Sequence, residues 1–340
     1  MKGKHKLWVI LAVAFQVGVV AAMAVSREWL LANGEAHLFQ TAPVDPRDIF
    51  RGDYVRLDYP FSNVPPGQVD EAIHEQGLRK GQKVYLSLGR DENGLSHGRR
   101  LYLEPPEGPY LRGYVKQHWP YRRYREQTPE RKRKALEDAI PVSVNYGIGR
   151  YYVEQGSGVE MEKRRGGRDS FQTPLLIHSL LSGSGEAAIG GYEWANFAVK
   201  TEIVQSPQRN PPDEQASAII RFTLMNHDEK PMRLPLKADN CSFALIPVQG
   251  APEDAAEFVG TSRDCVSKPV RPVILPAGKT LSLRFDLNQP HWRVRRNDKV
   301  VSLDKLPWQY RYRIQYRGEN IEGVKAAILS SAFHGRGNID

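Results

Sequence analysis

The chain has 340 residues, 40% hydrophobic and 26% charged, with a formal net charge of +9. It is too long for one ordinary core, so two domains are expected, with most of the chain folding as soluble globular protein. With 29 glycines and 24 prolines, turns and short strands are favoured over long helices, and the charge is spread too widely to single out an anionic partner.

Leu7–Val25 is an unbroken uncharged run with Gln16 as its strongly polar member. As a helix it matches a bilayer core of about 30 Å. Lys2, Lys4 and Lys6 precede it, while Arg27 and Glu28 cancel behind it, so the positive-inside rule keeps the N-terminus cytoplasmic and exports the rest. Residues 1–28 are therefore read as a cytoplasmic stub and membrane anchor. Ala22-Met23-Ala24 also fits a signal-peptidase site, and cleavage stays open as the competing reading. Trp29, placed where an interfacial aromatic holds a retained helix, favours the anchor.

The first globular segment is expected over 35–204. In Asp53–Tyr59, Val55, Leu57 and Tyr59 share one face, and Tyr54, Arg56 and Asp58 the other. Lys83–Leu88 alternates likewise, and Tyr110–Lys116 and Ile148–Val153 read as further strands. Glu92-Asn93-Gly94 and Gln155-Gly156-Ser157-Gly158 read as turns. One helix is expected near 128–139: Thr128 suits an N-cap, Pro129 the first turn, and Pro141 stops it. Arg122, Arg123, Arg125, Arg131, Lys132, Arg133 and Lys134 make this the most basic stretch.

Gln205–Gln215 is proline-rich without an apolar residue and reads as a linker. The second segment, 216–331, alternates cleanly in Thr280–Leu287 and Trp308–Arg317, the pattern of half-buried antiparallel strands. An immunoglobulin-type β-sandwich is expected there, followed by a tail at 332–340. The fold class is thus mainly β, with one transmembrane helix. Cys241 and Cys265 are the two cysteines. In an oxidising compartment they read as one disulfide, the other reading being two buried thiols.

Pro43–Tyr59, PVDPRDIFRGDYVRLDY, carries Gly52, Asp53, Tyr54, Leu57 and Tyr59 in order. It resembles the signature of the bacterial GDYXXLXY family. The Gln-bearing span and Tyr146–Gly158 are also similar to that family, and the resemblance covers about Met1–Lys200. The basic stretch near Arg122–Lys134 and the C-terminal sandwich depart from it. The resemblance implies membrane association and no particular activity. It supports the location expected from the anchor, a bacterial cytoplasmic membrane, single-pass, with the bulk in the periplasm or outside the cell.

Read from its residues, the motif is a fold element: Gly52 and Asp53 shape an entry turn, and Leu57 and Tyr59 point into a core. The alternative, Asp45, Asp48 and Asp53 holding a hard cation, is weakened by the interleaved Arg47 and Arg51. No zinc spacing, phosphate loop, dinucleotide fingerprint or marked nucleophile is present, and nothing in the sequence points to a cofactor. The expected function is non-catalytic: an anchored protein that binds or scaffolds an envelope or membrane component. Two alternatives remain. One is a receptor-like module taking an anionic polymer, lipid headgroup or glycan on the basic residues; the other is a hydrolase without a recognisable signature. Nucleic acid is not expected as a partner on the exported side.

Overall fold

The computed structural model describes residues 2–42, 54–119, 140–154, 157–167, 170–206, 217–249, 257–258, 265, 267–288, 292, 294–296, 299–301, 303 and 311–335. In chain order the first part holds α1 (Lys2–Asn33), β1 (Glu35–Gln40), β2 (Tyr54–Arg56), β3 (Asn63–Val64), α2 (Glu71–Gln76), β4 (Lys83–Arg90), β5 (Ser96–Tyr102), β6 (Tyr110–Val115), β7 (Val142–Asn145) and β8 (Arg150–Tyr152). It continues with α3 (Ser157–Arg165), β9 (Leu175–Leu181), β10 (Ala187–Trp194) and β11 (Phe197–Gln205). The remainder is β12 (Ile219–Asn226), β13 (Met232–Lys237), β14 (Phe243–Gln249), β15 (Glu257–Phe258), β16 (Val270–Leu275), β17 (Thr280–Asp286), β18 (Val294–Arg296), β19 (Lys299–Val301) and β20 (Arg311–Tyr316). The protein is mostly β, and its paired strands are antiparallel.

α1 is long and apolar enough to cross a membrane. It runs beyond the expected end near Glu28, because Ser26–Asn33 contains neither proline nor glycine to stop it. From Lys6 to Trp29 every residue is exposed; Leu30 is the first to be buried, at 9%. The helix stops at Gly34, whose N–H donates to the Leu30 carbonyl at 2.9 Å. A Cβ at this position would lie 2.6 Å from that oxygen and 3.0 Å from Leu180 Cβ, so the close approach requires glycine.

The first core lies between a five-stranded sheet, ordered β3-β7-β6-β4-β5, and the smaller sheets β1-β9-β10 and β2-β8. Val84, Leu86 and Leu88 of β4 are buried, as the period-two pattern requires. Phe39 of β1 sits edge-on to Tyr59 and Phe61, with centroids 6.1 and 5.1 Å away, while those two rings stack on each other at 5.0 Å. Such packing adds about 0.5–1.5 kcal/mol per pair beyond area burial.

The second core is built on β11-β12-β17, β13-β16 and β14-β20. β11 and β12 pair from Phe197↔Asn226 to Gln205↔Ile219, so the ladder crosses the Gln205–Gln215 stretch, and Phe197 and Val199 pack in the second core. Phe285 and Leu287 are fully buried, while Leu281 and Leu283 pack against them partly covered. After β20 the chain turns back along it: Tyr312 and Phe333 exchange two backbone hydrogen bonds of 2.9 Å. Phe333 and His334 are buried, so the expected tail begins inside the core. Gln40 ties this returning segment to β1 through reciprocal bonds with Ala327, of 2.9 and 2.7 Å. Cys241 and Cys265 form a disulfide with Cα atoms 5.2 Å apart.

Candidate functional site

The motif residues divide between core and surface. Val55, Leu57 and Tyr59 turn inward; Leu57 is 4% exposed and Tyr59 2%. The Tyr59 hydroxyl donates to the Ile148 carbonyl at 3.0 Å, and burial, reinforced by Asp58, pushes it above the usual phenol range. Tyr54 lies on the other face of a short ribbon, in register with Tyr152. Their rings are 5.9 Å apart, and the Arg150 guanidinium lies over Tyr54 at 5.1 Å. Tyr152 is 68% exposed, so the cluster faces solvent. Cation–π pairs at exposed sites contribute about 0.5–1 kcal/mol and hold such rings in place.

A second aromatic row follows on the neighbouring sheet. Tyr151 meets Tyr192 at 5.4 Å, Tyr192 meets Trp194 at 6.3 Å, and Arg164 lies over Trp194 at 5.0 Å. Alternation on β8 separates the rows, because Tyr151 points away from Arg150 and Tyr152. Arginine and aromatics side by side are the residue types enriched at protein–protein contacts.

Beneath the motif lies Arg165, the last residue of α3, which is 5% exposed. One guanidinium nitrogen, Nη1, donates to the Arg56 carbonyl at 3.0 Å, and Nη2 to the Ala42 carbonyl at 2.9 Å. Burial draws its pKa downward, opposed by Glu162 and Asp58. Ala42 precedes the 43–53 stretch and Arg56 follows it, so one fork fixes both ends of the segment leading into the motif. Beside it is a cleft of about 20 Å³ lined by Gln40, Thr41, Arg165, Gln172, Thr173 and Val199. That volume suits a water molecule.

His37 is a further buried titratable group. Its Nδ1 is 2.8 Å from Ser96 Oγ and its Nε2 3.2 Å from Glu35 Oε1. Burial lowers its pKa, with Glu35 acting in the opposite sense.

Of the residues singled out from the sequence, Tyr54, Leu57 and Tyr59 come together around one ribbon, and Cys241 and Cys265 are bonded. Gly52, Asp53, Asp45 and Asp48 lie outside the described residues. So do Arg122, Arg123, Arg125, Arg131, Lys132, Arg133 and Lys134, with the helix expected near 128–139. The sequence reading missed Arg164, Arg165, Tyr192 and Trp194. The double arginine before Gly166-Gly167 was the available signal.

These features define a class: a β-rich body on one apolar N-terminal helix, its outer face bearing arginine-capped aromatics. The model of the GDYXXLXY protein family matches residues 16–191, and the chain belongs to that family. The match begins inside α1 and ends inside β10, so it spans nearly all of the first core, and the chain from β11 onward lies beyond it. No curated protein and no solved structure matches the chain.

Proposed function

We propose that this is a non-catalytic, membrane-anchored binding protein, held in a bacterial cytoplasmic membrane with its body on the exported side. Its contact surface for an envelope or membrane protein centres on Tyr54, Arg150 and Tyr152. The observation that carries the reading is exposed Tyr152 beside half-buried Tyr54, which lies under Arg150, on a ribbon whose other face is locked into the core. Rigid aromatics lose little side-chain entropy when covered, which suits them to binding. The disulfide and the positive-inside distribution support export. Two units remain our proposed division, the second of immunoglobulin type, with the expected bounds 35–204 and 216–331 shifted so that β11 and the segment through His334 belong to the second, where they pack.

The test is photo-crosslinking in intact cells from a reactive residue at Tyr152 of the full-length protein. The expected result is one discrete protein adduct that Arg150→Glu abolishes while the melting temperature stays unchanged. Adducts that persist in Arg150→Glu, or that form equally from a reactive residue at Ala277, would count against the surface.

A further inference from the structure

We propose that the body rests on the lipid headgroup layer through the end of the β1-β9-β10 sheet from which α1 emerges, with α1 acting as a rigid strut. The inference rests on the membrane-anchored reading above. Its first support is the absence of slack. α1 passes into β1 through the single residue Gly34, and the Gly34–Leu30 hydrogen bond and the packing of Leu30 on the sheet fix the exit. Everything in α1 from Lys6 to Trp29 stands clear of the body, so the helix projects from it.

The second support is length. From Val25, the last residue of the apolar run, to buried Leu30 the helix rises about 7.5 Å. The headgroup zone on each side of the hydrocarbon is about 5–7 Å thick. The folded body therefore begins where the headgroups end. Trp29, exposed in the last turns of α1, lies at the depth favoured by interfacial tryptophans.

The third support identifies the surface. β9 is the central strand, and Leu181 pairs with Glu35 at the point where α1 enters. The 182–186 loop continues β9 past that pair, toward the side from which the helix comes. It is a fixed loop: the Tyr110 hydroxyl donates to the Gly183 carbonyl at 3.0 Å, Ser182 and Glu186 bond at 2.9 Å, and Glu186 pairs with Arg112. Arg90, bound to the Ala36 carbonyl at 2.8 Å and half exposed, lies 4.0 Å from the Glu35 carboxylate, so this end is polar rather than cationic. The Pro276–Lys279 turn lies level with the far end of β10: it bonds Asn226, which pairs with Phe197 just past Trp194. β10 alone separates the two ends by about 23 Å at strand rise. A lipid surface is thus the partner this end fits, and the aromatic surface is carried at a fixed height above it.

The full-length protein, with its disulfide intact, is spin-labelled at Ser184→Cys or at Ala277→Cys. It is reconstituted into phosphatidylcholine vesicles containing a nickel-chelating lipid. Flotation of the protein with the vesicles checks the anchor. The expected result is relaxation by headgroup nickel several-fold stronger at position 184 than at 277, with the difference collapsing when a flexible Gly-Ser segment is inserted between Asn33 and Gly34. Equal relaxation at both positions in floated protein overturns the strut and leaves the anchor standing. Failure to float overturns the anchored reading and the strut with it.

Discussion

At the scale of residues, the motif gains its geometry from Arg165. Two charged hydrogen bonds to backbone carbonyls, made from a nearly buried guanidinium, hold the chain before and after the 43–53 stretch. Replacing it leaves both carbonyls without that donor. Arg165→Met is expected to lower unfolding stability by about 2–4 kcal/mol in a denaturant titration. Tyr152→Ala is expected to cost no more than about 1 kcal/mol, because its ring faces solvent and loses little beyond its contact with Tyr54. His37 gives a pH dependence whose sign follows from burial. Its folded pKa lies below the ordinary 6.5, so protons bind the unfolded chain more readily. Its contribution is therefore present above pH 6.5 and is lost as pH falls below that value toward the folded pKa. Melting temperature is expected to drop between pH 7 and pH 5, and His37→Gln to flatten that slope; an unchanged slope in the variant would remove His37 from the account. The inward set Val55, Leu57 and Tyr59 was legible because alternation reports burial directly. Arg165 was not: in Glu160–Arg165 it reads as one more solvated charge, and only folding shows which arginine turns inward.

At the scale of elements, strands with one wet face were the legible ones. β4 and β17 alternate because one side of each is covered. β9 reads Leu-Leu-Ile-His-Ser-Leu-Leu and does not alternate, since it is the middle strand between β1 and β10 and is buried along most of its length. α3 was hidden by glycine chemistry: Gln155-Gly156-Ser157-Gly158 reads as a turn, yet Ser157 and Gly158 open a helix that delivers Arg165. The basic helix expected near 128–139 lies outside the described residues. The disulfide acts on elements as well, joining the segment before β14 to the one before β16 across a separation of 24 residues. In the chain-entropy model a loop of that size contributes about 3 kcal/mol. Reduction is expected to lower the melting of the second core while the first core melts as before, read by calorimetry with and without reductant. A single transition unmoved by reductant would show that the bridge constrains little.

At the scale of the whole molecule, what joins the two cores was the least legible part, because it depends on contacts far apart in sequence. The family match ends inside β10, and β11, the next strand, belongs to the second core at once. The segment after β20 returns to it, and Gln40 and Ala327 close the gap between the two. Composition gave the helix, the β character and the disulfide, each a local or pairwise property; alternation gave no partner for any strand. The arrangement that results is an apolar N-terminal helix standing out of a β body, and we propose that this helix anchors the body on the exported side of the membrane. The most direct measurement is a C-terminal fusion of the full-length protein to a reporter active only outside the cytoplasm, combined with high-salt membrane fractionation and N-terminal sequencing. An active reporter, retention in the membrane fraction and an N-terminus upstream of Leu7 are the expected results. An active cytoplasmic reporter at the same position, or a mature N-terminus near Val25, would contradict it.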